Sequence, residues 1–338
     1  MNEHLAHRWM KPVAVLLWLL TAGVVLSSIG LLFVQPWYLR RMAFAELKRH
    51  GEIKISQDDD TVAFSLKKEE QDRETVADLA VLLKRVRCTD LLLGGCKNLK
   101  DIQCLAQVEP LRSLNLDDTG VSDVGPLAAL TNLQSLSLNG TGVSDVGPLA
   151  ALTNLQVLHL DDTGVSDVGP LAAVMNLQEL HLNDTGVSDV GPLAALTNLQ
   201  ELYLGGTGVS DVGPLAALTN LESLVLNGTG VSDVSPLAAL SNLRVLSLHS
   251  TEVSDVGPLA ALTNLLWLNL CFTEVSDVGP LAALTNLQQF YLFGTGVSDV
   301  RPLAALTNLR ALTLDDVAVP EEQVESLRTK LPECKISR

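Results

Sequence analysis

Between residues 111 and 308 the apolar positions of the chain recur every 22 residues without a break. Nine consecutive copies, from 111–132 to 287–308, fit the frame L-x-x-L-x-L-x-x-T-x-V-S-D-V-x-P-L-A-A-L-T-N. In the first copy Leu111, Leu114, Leu116, Val121, Val124, Leu127 and Leu130 are the inward anchors. Leu114 and Leu116 alternate with polar neighbours, the two-residue period of a short strand with one buried face. The second half of the frame, TGVSDVGPLAALTN at 119–132, returns unchanged at 141, 185 and 207 and carries turn-forming Gly and Pro. A unit this short cannot enclose its own apolar face, whereas stacked units can. The period therefore predicts a solenoid.

The flanking segments follow other patterns. Residues 13–34, VAVLLWLLTAGVVLSSIGLLFV, are 22 residues without a charge. As a helix they would be about 33 Å long, enough to cross a hydrocarbon core of roughly 30 Å. Trp9 precedes the run and Trp37-Tyr38 follows it, as rings at a membrane interface would. The run is longer than the roughly 7–15 apolar residues of a cleaved signal peptide. An N-terminal transmembrane helix behind a tail at 1–12 is therefore expected. Arg40, Arg41, Lys48 and Arg49 favour a cytoplasmic array, while the short tail favours export; both orientations stay open. Residues 35–87 are expected to form a linker and an N-terminal cap. LRRMAFAELKRHG reads as a helix ended by Gly51, EIKIS and TVAFSL as strands around the turn QDDD. Val76, Leu79, Leu82, Leu83 and Val86 then mark one face of a further helix.

The frame resembles the 22-residue leucine-rich repeats of bacterial internalin-type proteins, continuously over about 110–308. Residues 88–110 look like an irregular first repeat, their LKDIQCLAQV matching VSDVGPLAAL, and 309–330 look like a degenerate last one ending in a helix. The array thus spans 88–330, and LPECKI leads into the C-terminal end at 331–338. The resemblance implies an α/β fold, a leucine-rich-repeat solenoid. A curved parallel β-sheet would lie on the concave side and 3₁₀ or short helical turns on the convex side. With the apolar run at 13–34 it implies a single-pass protein of a bacterial cell membrane. The chain departs from the family in placing Thr119 and its equivalents where a stacked Asn is usual.

The net charge imbalance is confined to the array. The chain carries a formal charge of −16, and residues 111–308 hold 19 acidic side chains against Arg112, Arg244 and Arg301. That imbalance argues against nucleic acid or anionic lipid on this surface and leaves basic or neutral partners. Asp123, Asp145, Asp167, Asp189, Asp211, Asp233, Asp255, Asp277 and Asp299 form one column. Calcium would need more oxygens than this column supplies, so each Asp is expected to cap the turn entering the next Pro. Five cysteines without CxxC spacing support no zinc ribbon. Cys88 stands at an inward position, and a Cys96–Cys104 bridge is compatible with export.

The copies differ chiefly at frame positions three, five, seven and eight, which are expected to line the sheet face. Such variation fits a scaffold whose surface is tailored; neutral drift is the alternative. Aromatics make up only 4% of the chain, yet Trp267, Phe272, Tyr291 and Phe293 fall in the last two regular copies with Asn269 and Cys271. This patch is expected to anchor a protein or peptide partner; a cluster shielding the end of the stack is the competing account. The second patch is polar: His159 and His181 share position five, with Glu179, Asp161, Asp162, Asp184, Glu201 and Tyr203 around them. Two imidazoles beside carboxylates are compatible with a divalent ion. The reading adopted is a solvated binding face with no metal and no cofactor. No nucleophile–base pair, phosphate loop or HExxH pattern is found, so no enzyme is expected. The expected function is a membrane-anchored interaction scaffold, and the alternative is a structural envelope-spacing protein without a dedicated ligand.

Overall fold

The computed structural model describes residues 28–55, 62–66 and 76–338, with side chains from residue 39 onward. Most of the apolar run at 13–34, residues 13–27, and the QDDD turn lie outside the described residues. Among the described residues, no helix is long and apolar enough to cross a membrane. Helix α1 (Ser28–His50) ends where Gly51 begins strand β1 (Gly51–Ile55), which pairs antiparallel with β2 (Val62–Leu66). Helix α2 (Ala77–Val86) buries Leu79, Leu83 and Val86, the face that the spacing predicts.

From β2 onward every pairing is parallel and in sequence order, through β3 (Asp90–Leu92) and the strands from β4 (Ser113–Asn115) to β13 (Ala311–Thr313). Helix α3 (Glu321–Lys330) and β14 (Lys335–Ser337) follow, completing a sheet of 14 strands. The array strands are three residues long, and each buries its central side chain between two outward ones, except that Ser247 is buried beside Leu246. Opposite the strand, each copy forms a five-residue 3₁₀ turn such as Gly125–Ala129, with Pro as its second residue. Proline suits that place because the first turn's N–H groups have no intrahelical partner.

Repetition produces one uninterrupted core. Leu111, Leu114, Leu116, Val121, Val124, Leu127 and Leu130 are each at most 1% exposed, and their counterparts continue the same cluster to the far end. Three polar columns fix the turns and join the copies. The nine frame aspartates each accept a backbone N–H two residues ahead at 2.7–3.0 Å, as in Asp123 with Gly125, which fixes the entry to the 3₁₀ turn. The closing Asn of one copy donates to the copy before it: Asn154 Nδ2 reaches the Thr131 carbonyl at 2.9 Å. The threonines that replace the family's Asn are buried, and each donates to the carbonyl three residues earlier, Thr207 Oγ1 to Leu204 at 2.6 Å. Thr207→Val keeps the shape and removes the hydroxyl. It should lower the unfolding free energy by about 1 kcal/mol, measured as the shift in a urea midpoint.

All five cysteines are free thiols, Cys96 and Cys104 included. Burial pushes the Cys88 thiol up to about 12, so it packs as a small apolar side chain.

Candidate binding face

Residues at positions three and five flank the buried centre of each strand, so all but the buried Ser247 stand out from the sheet. Parallel pairing in fixed register sets like positions side by side: Glu179 opposite Glu201, and His159, His181 and Tyr203 in one row across β6 (Val157–His159), β7 (Glu179–His181) and β8 (Glu201–Tyr203). Strands about 4.8 Å apart bring flat rings within stacking range. The His159 and His181 rings have centroids 4.1 Å apart and are tilted by 31°. Tyr203 lies 4.1 Å beyond His181, and its hydroxyl donates to Glu201 Oε2 at 2.9 Å.

Glu179 reaches across this row. Its Oε1 stands 2.9 Å from His159 Nε2 and 3.0 Å from His181 Nε2. On the other edge His181 Nδ1 lies 3.4 Å from Asp161 Oδ2. Burial by itself would lower the His181 pKa, but the Asp161 hydrogen bond and the charges of Asp161 and Glu179 outweigh it and raise the group above 6.5. Asp161 answers in kind. Burial pushes its pKa up, whereas hydrogen bonds from His181 and the Asn183 backbone bring it below the ordinary value. Burial, then the Glu201 hydrogen bond, raises Tyr203. The structure thus gathers His159, Glu179, His181, Glu201 and Tyr203 into one patch; Asp162 and Asp184 stand outside it, exposed at position eight.

The aromatic residues near the other end form two groups. Trp267 of β11 (Trp267–Asn269) and Tyr291 of β12 (Gln289–Tyr291) have ring centroids 5.4 Å apart on the open sheet face. Phe272 and Phe293 meet edge to face at 4.8 Å beyond the strand ends, and His249 joins them, 5.4 Å from Phe272. Asn269 turns inward in function: its Oδ1 accepts the Cys271 N–H at 2.9 Å. Cys271, expected on the surface of this patch, is buried at 9% exposure.

Positions seven and eight vary for reasons of backbone geometry in most copies. Position seven is held by Asn or Asp whose side-chain oxygen accepts the N–H of position seven in the next copy: Asp117 from Asn139, Asn139 from Asp161, Asp161 from Asn183 and Asn183 from Gly205, all at 2.7–2.8 Å. Position eight is left-handed, with φ near +55° at Asp118, Asp162 and Asp184 and +64° at Gly140. Gly, Asp and Ser recur there because the conformation costs larger residues more. Phe272 breaks that rule at φ +56° and half exposed. Its ring lies against Gly294, where an added Cβ would come within 2.8 Å of it. Gly205, His249, Cys271 and Phe293 are the departures from the Asn/Asp column, and that signal would have found His249.

A family model described as leucine rich repeats (2 copies) matches residues 131–173, 176–217 and 219–261. An internalin (inlC2) from Listeria monocytogenes is 37% identical, covering 57% of this chain and 83% of its own length, with a TM-score of 0.53. The chain belongs to the internalin-type leucine-rich-repeat proteins. A second internalin (inlF) from the same species is 26% identical over 88% of this chain and 94% of its own, with a TM-score of 0.73. The plant peptide hormone receptor RGFR1, solved in complex with RGF2, shares the fold alone: 17% identity over 70% of this chain and 45% of that one, TM-score 0.59. No curated protein matches the chain. Within the regular copies of this internalin-type array, the two patches are where the sheet face carries imidazole and large aromatic rings, and Val157, Val225 and Val245 are its other departures from polar residues.

Proposed function

We propose that the array binds a protein or peptide through its open sheet face, with Trp267 and Tyr291 as the central anchors and Phe272 and Phe293 beside them. The observation that carries this reading is Phe272. A large aromatic is kept in a left-handed backbone conformation that costs about 1–2 kcal/mol and still presents half its surface to solvent. Strain kept at an exposed aromatic marks a contact site more readily than a stabilising one. Shielding the end of the stack is the weaker account, because β13, α3 and β14 lie between this patch and the end. A binding rather than catalytic role fits the His–Glu patch, which lies on an open sheet. The acidity of the array favours a basic or neutral polypeptide over nucleic acid. The uncharged run at 13–34, bracketed by Trp9 and Trp37-Tyr38, supports anchoring in a bacterial cell membrane.

The test is crosslinking in intact cells with the wild-type chain and with Trp267→Ala/Tyr291→Ala. The wild type should yield one abundant crosslinked polypeptide, and the double variant should lose at least about 2 kcal/mol of affinity for it, some thirtyfold. Equal capture by both would overturn the reading. Altered cell shape with no crosslinked partner would support the envelope-spacing alternative.

A further inference from the structure

We propose that His159, Glu179 and His181 form a binding site for a divalent transition-metal ion of the zinc class. Among the described residues they are the one group of three or more His, Cys, Asp and Glu side chains close enough to share an ion, with one ligand atom from each, all within 4.8 Å of one another. Ligands of a tetrahedral zinc stand about 2.0–2.1 Å from the metal, and therefore about 3.3 Å from each other. Glu179 Oε1 is already 2.9 Å from one imidazole nitrogen and 3.0 Å from the other. Rotating the carboxylate outward and drawing in the remaining spread, at most 4.8 Å between ligand atoms, would seat an ion among the three.

The chemistry of the two rings supports the site independently of those distances. His181 Nε2 is sealed from solvent and makes no hydrogen bond, although Glu179 Oε1 lies 3.0 Å away. The separation suits an ion pair, but the angle does not suit a hydrogen bond. An N–H there would meet Glu179 Oε1 only at a poor angle, whereas a lone pair there would face the other two ligands. Asp161 sits on the opposite nitrogen, Nδ1, at 3.4 Å. A carboxylate holding the far N–H is the arrangement that fixes the tautomer and direction of a metal-binding imidazole. The rings are also held in place by stacking, His159 on His181 on Tyr203, and all three ligands project from strands.

Ligand type selects the ion. Two imidazoles and one carboxylate suit zinc and its neighbours and do not suit calcium or magnesium, which take oxygen ligands. The charge of −16 raises the local concentration of any cation. With the three side chains 26%, 31% and 20% exposed, the fourth coordination position faces out of the sheet. This site does not depend on the aromatic patch and stands or falls without a polypeptide partner.

Titration calorimetry of the full 338-residue chain, stripped with a chelator and titrated with zinc chloride, should show one equivalent bound. His181→Ala should abolish that heat. Asp161→Asn, which leaves the three ligands, should weaken binding roughly 10–100-fold. Glu274→Gln, an exposed acidic site far along the array, should leave it unchanged. No zinc heat with the wild type, or equal affinity in wild type and His181→Ala, would overturn the proposal. So would an equal loss in Glu274→Gln, which would mark diffuse attraction to an acidic surface. Imidazole NMR of the wild type needs no variant: zinc should shift the His159 and His181 signals and spare His249, and uniform or absent shifts would refute the site.

Discussion

Phe290→Ala should destabilise the array by about 3–5 kcal/mol. Phe290 is the central, fully buried residue of β12, in register with Leu268 on one side and Leu312 on the other. Every other regular copy places Leu at this position. The rung around Phe290 has therefore repacked to admit a ring, and truncation to Ala would leave a cavity that straight, three-residue strands cannot collapse to fill. Phe290→Leu returns the rung to the common frame and should cost less than about 1.5 kcal/mol. Chemical denaturation followed by far-UV circular dichroism measures both. Because each rung touches only its neighbours, the loss should be local. Hydrogen exchange in Phe290→Ala should accelerate first from residue 287 onward, while β4 to β8 keep their protection. A uniform acceleration along the array would show that the stack unfolds as one unit.

Leu327→Asp should have a comparable or larger effect, roughly 4 kcal/mol or more. Leu327 and Val324 are the buried residues of α3, 1% and 0% exposed, and they cover the last 3₁₀ turn of the stack. A carboxylate at 327 loses the packing of the leucine and places a charge where no basic group pairs with it. The expected result is release of α3 and β14, which uncovers the apolar end of the core and the free edge of β13. An uncovered parallel edge pairs readily with another chain. Light scattering should therefore rise with protein concentration in Leu327→Asp and stay flat in the wild type. A monomeric variant with native thermal stability would show that α3 is dispensable.

The solenoid was legible in the sequence because its cause is periodic. Seven apolar anchors every 22 residues admit one common packing, and Leu114, Val121 and Leu127 sit where the frame puts them. The buried face of α2 was legible for the same reason: Leu79, Leu83 and Val86 recur at helical spacing. The face of the sheet was legible only in part. Register alone brings His159, His181 and Tyr203 into a row, so that patch could be read from the frame. Position eight could not, since a left-handed φ leaves no apolar pattern, only a preference for Gly, Asp and Ser that resembles free variation. Position seven misled in the same way, because Asn139 and Asp161 look like exposed polar residues and instead bind the backbone of the next copy. Cys271 shares that column, and it is buried rather than exposed with the aromatic residues it was expected to join.

Identical rungs joined in fixed register have a metric consequence. Between His181 on β7 and Trp267 on β11 lie four inter-strand steps, about 19 Å at the usual strand spacing. That separation is counted in whole repeats, so gain or loss of one 22-residue copy between them would lengthen or shorten it by a single increment of roughly 5 Å. Neither patch would be altered in itself. The molecule is a ruler whose graduations evolution can add or delete one at a time.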